Sequence, residues 1–217
     1  MKAWATVSDW LSISGCVLCD EIRNANPLSL RLGLYTTNSD KIILESEHFV
    51  LVRDISPLVP GHLLLLTKDH YCSFAEVPCS MLSEFLDVRN RSISYLADAY
   101  AAPLLFEHGS SRTAPSGGAC IEHAHIHLLP ISAPIEEWLE EVGEVTPGSL
   151  VSLQPDISEN YLWYRKQDGS EYCVRRFHQP IPSQFIRRVL AGHLNIQEWN
   201  WKTMLVRIHV QPREGEL

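Results

Sequence analysis

The spacing of apolar residues changes several times along this chain, and the changes mark its elements. Between residues 41 and 67 three short runs, KIILE, HFVLVRD and GHLLLLT, are separated by Ser-Glu and by the proline-bearing turn SPLVPG. That punctuation predicts consecutive strands of an antiparallel sheet. From 79 to 101 the period lengthens: Leu82, Phe85, Leu86, Ile93, Leu96 and Ala97 fall mostly at helical spacing. One long amphipathic helix is predicted there, with Ser80 near its start. PLLFEHG then reads as a strand, SSRTAPSGGA as a loop, and IEHAHIHLLPIS as another strand. After Pro134 the pattern shifts again, to a short acidic helix (IEEWLEEVGE), a hairpin turned at Asp168-Gly169 (YLWYRK to EYCVRRF), and a helix begun by Pro182-Ser183 (PSQFIRRVLAGHL). The expected organisation is a domain over 1–132 and an extension over 133–217 made of helix, hairpin and helix.

Bulk properties narrow the function classes. With 217 residues and 45% apolar content the chain can bury a sizeable core, so disorder is not expected. A formal charge of -8 without a basic run offers no footprint for a phosphate backbone, which argues against duplex nucleic acid as a partner. MKAWATVSDWLSISG interrupts its apolar residues with Ser, Thr and Asp and lacks the h-region of a secretory signal. No stretch reaches the roughly 18 apolar residues of a membrane span. A cytoplasmic location, with no membrane partner, is expected.

The chemistry concentrates in EHAHIHLLP, residues 122–130. On a strand, positions i, i+2 and i+4 face one way, so His123, His125 and His127 are expected on one face, with Ala124, Ile126 and Leu128 on the other. His123 and His127 would lie about 13 Å apart along such a strand, so one metal could readily take two of the three and at least one is left for another task. Neutral imidazole is a nucleophile and proton carrier near pH 7. Attack on phosphorus would form a covalent phosphoramidate, with the neighbouring histidines stabilising phosphate oxygens or protonating the leaving group. Backbone N–H groups of residues 115–120 could cradle the same oxygens. The bland alternative is a polar sheet face exposed to water.

Cys16-Val-Leu-Cys19 has the spacing of half a zinc site. No second C-x-x-C follows, so further ligands must come from distant histidines: His48, His62, His70 or a triad member. A reduced buried pair and a redox pair are the alternatives.

Together, C-x-x-C at 16–19, RDISPLVPGHLLLLTKDH at 53–70 and GGACIEHAHIHLLP at 117–130 resemble the histidine triad family of nucleotide hydrolases and transferases. The resemblance covers about residues 13–132, with its three motifs in order. It implies an α+β fold, a half-barrel-like antiparallel sheet with one long helix, usually as a homodimer; here a C-terminal α/β extension would follow. It implies that His125 is the nucleophile taking a nucleoside monophosphate, that His127 hydrogen-bonds the phosphate, that His62 lines the same pocket, and that Asp54 binds ribose hydroxyls. Zinc-bearing members are similar at Cys16, Cys19, His70 and His123, which implies a structural Zn2+ that fixes the start of the histidine strand.

Two departures stand out. Where the family commonly has Gly-Gln-Ser-Val, this chain has Gly118-Ala119-Cys120-Ile121, and Glu107 stands where asparagine is common. Gly118, Ala119, Cys120 and Glu107 are therefore counted as nucleotide-contacting positions with altered chemistry. Glu107 would have to be protonated, or paired with a cation, to sit near phosphate. In the extension, Lys166, Arg175, Arg176, Arg187 and Arg188 concentrate positive charge. They could bind an extra phosphate or answer Glu107, or be solvated surface charges. Trp163, Trp199 and Trp201 are expected to anchor the extension to the core. Two rivals to a covalent nucleotide enzyme stay open: a non-catalytic nucleotide-binding regulatory protein, and a metal-dependent hydrolase using the triad as ligands.

Overall fold

The computed structural model describes residues 15–23, 25–109, 121–153 and 160–204. In chain order the elements are α1 (Val17–Arg23), α2 (Leu28–Arg31), α3 (Asn38–Lys41), β1 (Ile42–Glu45), β2 (Phe49–Arg53), β3 (Leu63–Thr67), α4 (Leu82–Ala99), β4 (Leu104–Gly109), β5 (His125–Leu129), α5 (Ile135–Glu140), β6 (Gly143–Pro147), β7 (Tyr161–Arg165), β8 (Glu171–Phe177) and α6 (Phe185–His193). The strands form one sheet in the order β1-β2-β3-β5-β4-β7-β8-β6, and neighbours run antiparallel throughout. This is the α+β architecture expected: an antiparallel sheet with one long helix. The extension does not stand apart from it, because β7 pairs directly with β4, Glu107 opposite Trp163.

The continuous run Leu63–Leu66 on β3 shows why the sheet is covered on both sides. Leu63 and Leu65 pack in a core with Phe85, Val88 and Leu96 of α4, whereas Leu64 and Leu66 pack with Leu18 of α1, Val50 and Val52. A strand buried on both faces has no polar alternation to show. On the second face, α5 and α6 bring Ile135, Leu139, Phe185, Ile186 and Leu190 onto Leu104, Phe106, Leu162, Tyr164 and Val174. That face therefore has two covers, α1 over one half and the extension over the other. The seam between them is a cleft.

Several boundaries differ from expectation. Residues 79–81 form a 3-10 turn, and α4 itself begins at Leu82 after Met81, with no side-chain cap from Ser80. The first-turn carboxylate is engaged elsewhere: Glu84 accepts hydrogen bonds from the Ser46 hydroxyl (2.6 Å) and the His48 N–H (2.8 Å), which clamps α4 to the β1–β2 turn. The last helix starts at Phe185, with Gln184, not Pro182-Ser183, as its N-terminal boundary residue, in the left-handed region at φ 59°. A third extension strand, β6, was not expected. GEVTP offers a single large apolar residue and ends in proline, which an edge strand tolerates. Trp163 is fully buried and Trp201 nearly so, and Trp199 packs against the second core. No helix of the described residues is long and apolar enough to cross a membrane.

Candidate active site

The cleft is lined by His125, His127, His108 and Asp54 on the sheet side and by Phe185, Ile186, Arg187 and Trp201 from the extension, and encloses about 690 Å³ including its open mouth. Strand alternation places the sheet residues. Phe106 lies opposite His127 in the β4–β5 register and stacks on its ring at 4.6 Å, so His108, two residues on, shares their face.

The ring nitrogens can be assigned from their neighbours. The His125 Nδ1–H donates to the His123 carbonyl at 2.5 Å, which leaves Nε2 with a free lone pair. The Leu58 backbone N–H donates to Nδ1 of His62 at 3.2 Å, so His62 carries its proton on Nε2. That N–H lies 2.9 Å from Nδ1 of His127 and donates to it. His127 therefore bears its own proton on Nε2. Two cleft-lining imidazoles thus present opposite functions, a lone pair from His125 and an N–H from His127, with their ring centroids 5.0 Å apart. His62 stands behind them as a buried relay and is not among the cleft-lining residues.

Burial sets the charge state. It lowers His125 below the usual imidazole range. It pushes His127 well below it, with His125 and His62 adding to the effect. His62 is likewise held well down by burial, then by the Arg187 guanidinium and His125. All three rings are neutral at pH 7.

Asp54 is 6% exposed and already engaged. Its Oδ1 accepts the Ser56 N–H at 2.8 Å, its Oδ2 accepts from Nη1 of Arg187 at 3.0 Å, and Nε2 of His62 lies 3.3 Å from Oδ2. Asp54, His62 and His127 lie close enough to hold a cation. Their lone pairs are taken by Arg187 and by each other, which disfavours that use.

Glu107 is not brought to the histidines. It sits on β4 between Phe106 and His108 and so points to the opposite face, 1% exposed. There it accepts from the Phe74 N–H (2.9 Å) and the Tyr161 hydroxyl (2.5 Å). Burial pushes its carboxyl up to about 8, against the opposing effect of those two hydrogen bonds. The extension cations do not answer it. Arg187 pairs with Asp54, Lys166 with Glu136, and Arg176 with Glu144 at the surface. Gly118, Ala119 and Cys120 lie outside the described residues.

A second cluster lies beside the first. Cys16, Cys19, His70 and His123 offer ligand atoms all within 4.8 Å of one another. Cys16 Sγ is 3.4 Å and Cys19 Sγ 3.4 Å from Nδ1 of His123, and Cys19 Sγ is 3.3 Å from Nδ1 of His70. A tetrahedral zinc with bonds of about 2.3 Å to sulfur and 2.0 Å to nitrogen would put these edges near ~3.6 Å, so the set fits such an ion. The Nε2–H of His123 donates to the Thr67 carbonyl at 2.8 Å, which turns its unprotonated Nδ1 toward the thiols. His123 lies just ahead of β5: two of the three histidines serve the cleft and the first turns to the cysteines, while Ala124, Ile126 and Leu128 pack in the core of the other face.

Sequence reasoning missed His108, Gln184 and the pairing of Arg187 with Asp54. The alternation F-E-H in PLLFEHG was a signal that His108 and Glu107 face opposite ways. Nothing local in the sequence indicated which of the two faces the histidines.

Several known proteins are similar to this chain. A HIT domain model matches residues 36–133. An uncharacterized HIT-like protein of Methanocaldococcus jannaschii is 29% identical over 42% of this chain and 67% of its own length. The adenylylsulfatase HINT3 of Arabidopsis thaliana is 28% identical over 53% of this chain and 51% of its own length. The chain thus spans about two thirds of the archaeal relative and half of the plant one. A solved member of the HIT family from Bacillus subtilis is 20% identical, covering 56% of this chain and 76% of that one, with a TM-score of 0.43. Over residues 36–133, somewhat under half of its length, the chain matches the HIT domain and in that stretch is similar to histidine triad proteins.

Proposed function

We propose that this protein is a nucleotide hydrolase or nucleotidyl transferase that works through a covalent nucleotidyl-histidine intermediate on His125. The observation that carries the reading is the complementary placement of protons: a neutral His125 with its Nε2 lone pair free, beside a neutral His127 with an N–H to offer, both lining one cleft. His125 Nε2 attacks phosphorus, an N–P bond forms and the bond to the leaving group breaks. The His127 N–H donates to a non-bridging oxygen, where charge builds up in the transition state. Water then attacks phosphorus and breaks the N–P bond, giving a nucleoside monophosphate; another nucleophile in place of water makes the same site a transferase. Asp54 is set to accept from ribose hydroxyls with the capacity that Ser56 and Arg187 leave it. Phe185, Ile186 and Trp201 supply an apolar wall for the base or the leaving group. In this reading residues 1–132 carry the chemistry and 133–217 shape the cleft.

Cys16, Cys19, His70 and His123 are proposed to hold a structural Zn2+. When bound, the ion supplies a fixed anchor between α1 and the residue just ahead of β5. The chain's own contacts act in the same sense, since Arg23 of α1 donates to the Lys68 carbonyl and Asp69, both at 2.8 Å.

The test is release of nucleoside monophosphate from a panel of nucleoside phosphoramidates, dinucleoside polyphosphates and adenylyl sulfate, the last prompted by the plant relative's name. Turnover of at least one donor by the wild type, lost in His125→Ala, is the expected result. Equal turnover by the variant would remove His125 from the chemistry.

A further inference from the structure

We propose that Arg187, contributed by the extension, is a positioning residue that sets the proton arrangement of the His62–His127 relay. The proposal rests on the functional reading above only for its kinetic consequence.

Arg187 lies on α6, outside residues 36–133, and 133 positions from the aspartate it meets. It is 5% exposed, and each of its guanidinium nitrogens is engaged: Nη1 donates to Asp54 Oδ2 at 3.0 Å, Nη2 to the Ser56 carbonyl at 2.8 Å and to Met204 Sδ at 3.5 Å, and Nε to the Trp199 carbonyl at 3.2 Å. Asp54 Oδ2 in turn stands 3.3 Å from Nε2 of His62. That N–H has two acceptors within reach, Asp54 Oδ2 and, at 2.9 Å, His127 Nδ1. Which one it serves decides whether His127 keeps its own proton on the nitrogen left for the cleft.

Arg187 tips the choice in two ways. It occupies Oδ2 with a stronger, charged donor, and it supplies the countercharge that a buried carboxylate requires. The charged and titratable groups facing His62 are Asp54 at the end of β2, Arg187 on α6, and His125 and His127 on β5. Without the guanidinium, Asp54 Oδ2 is free to take the His62 Nε2–H, while the Leu58 N–H, 3.2 Å from Nδ1, keeps that nitrogen unprotonated. His127 would lose its donor and with it the fixed tautomer. Through Arg187 the extension thus acts on the triad by way of Asp54 and His62.

The test uses the whole 217-residue chain, supplied with zinc, with Arg187→Lys, Arg187→Met and the double variant Asp54→Asn/Arg187→Met, each first checked for folding by circular dichroism. Nitrogen-15 NMR of the histidine rings at pH 7 reads the tautomers directly. Wild type and Arg187→Lys should show His127 protonated on Nε2 alone; Arg187→Met should show a mixture of its two tautomers; the double variant, with neither charge, should return toward Nε2. With adenosine 5′-phosphoramidate as probe, kcat of Arg187→Met should fall by about 10- to 100-fold at little change in KM. Arg187→Lys should restore most of the lost rate. A His127 protonated on Nε2 alone in Arg187→Met, or an equal loss of rate in Arg187→Lys, overturns the proposal. If the NMR pattern holds but the wild type turns over none of the panel of donors, the enzymatic reading falls and the positioning role stands.

Discussion

Replacing Glu107 by glutamine should change how stability depends on pH. Glu107 is buried opposite the cleft between the Phe74 N–H and the Tyr161 hydroxyl, and burial raises its carboxyl from the ordinary 4.5 to about 8. A carboxyl whose folded pKa lies above its unfolded value stabilises the fold below the unfolded value. That contribution is lost as pH climbs through the folded one. The gap, at about 1.4 kcal/mol per unit, corresponds to on the order of 5 kcal/mol in full. Of this, about 3 kcal/mol should disappear between roughly pH 5.5 and pH 9. Glutamine keeps the shape and a carbonyl acceptor but has no proton to lose. Urea unfolding of wild type and Glu107→Gln at several pH values isolates the effect, because every other titration is common to both. The wild type should lose stability relative to the variant by about 3 kcal/mol across that window. Parallel curves would show that Glu107 folds with its ordinary affinity for protons and that burial is not what governs it.

Two further outcomes follow from local geometry. The thiol of Cys19 is raised to about 11 by burial and by its neighbour Cys16, and zinc must displace such protons to bind; a chelator should therefore strip one equivalent of zinc faster at pH 6 than at pH 8, and Cys16→Ser should bind less metal, both followed by a colorimetric zinc assay. Asn195 ends α6 in the left-handed region at φ 56°, with its N–H on the Gly192 carbonyl and that of Ile196 on Ala191; Asn195→Ala should cost about 1 kcal/mol and lower Tm by about 2–4 °C while Asn195→Gly does not, and an unchanged melting temperature in the alanine variant would contradict this.

The parts of the fold that were legible in the sequence are those whose cause is local. HFVLVRD and GHLLLLT carry their own strand signal, the Asp168-Gly169 turn sits where Gly169 adopts φ 93°, and 82–99 keeps one helical period. The two-residue repeat likewise paired His125 with His127. What stayed hidden depends on register between distant segments. Whether Glu107 or His108 faces the cleft is decided by Phe106 landing opposite His127, and no stretch of β4 alone encodes that. The role of Arg187 depends on α6 folding back over a loop more than 130 positions earlier. His123 serves the cysteines and not the cleft because the Thr67 carbonyl and two thiols claim its ring before β5 begins, a division of labour that spacing alone cannot decide.

The central claim is that His125 forms a bond to phosphorus, and intact-protein mass spectrometry tests it most directly. Wild type and His125→Ala would be mixed with the same nucleotide conjugates and quenched without acid, since a phosphoramidate is acid-labile. The wild type should gain the mass of one nucleoside monophosphoryl group, mapped by fragmentation to His125, and His125→Ala should gain none. The same mass gain in His125→Ala, or turnover by a wild type that never carries the group, would contradict the account.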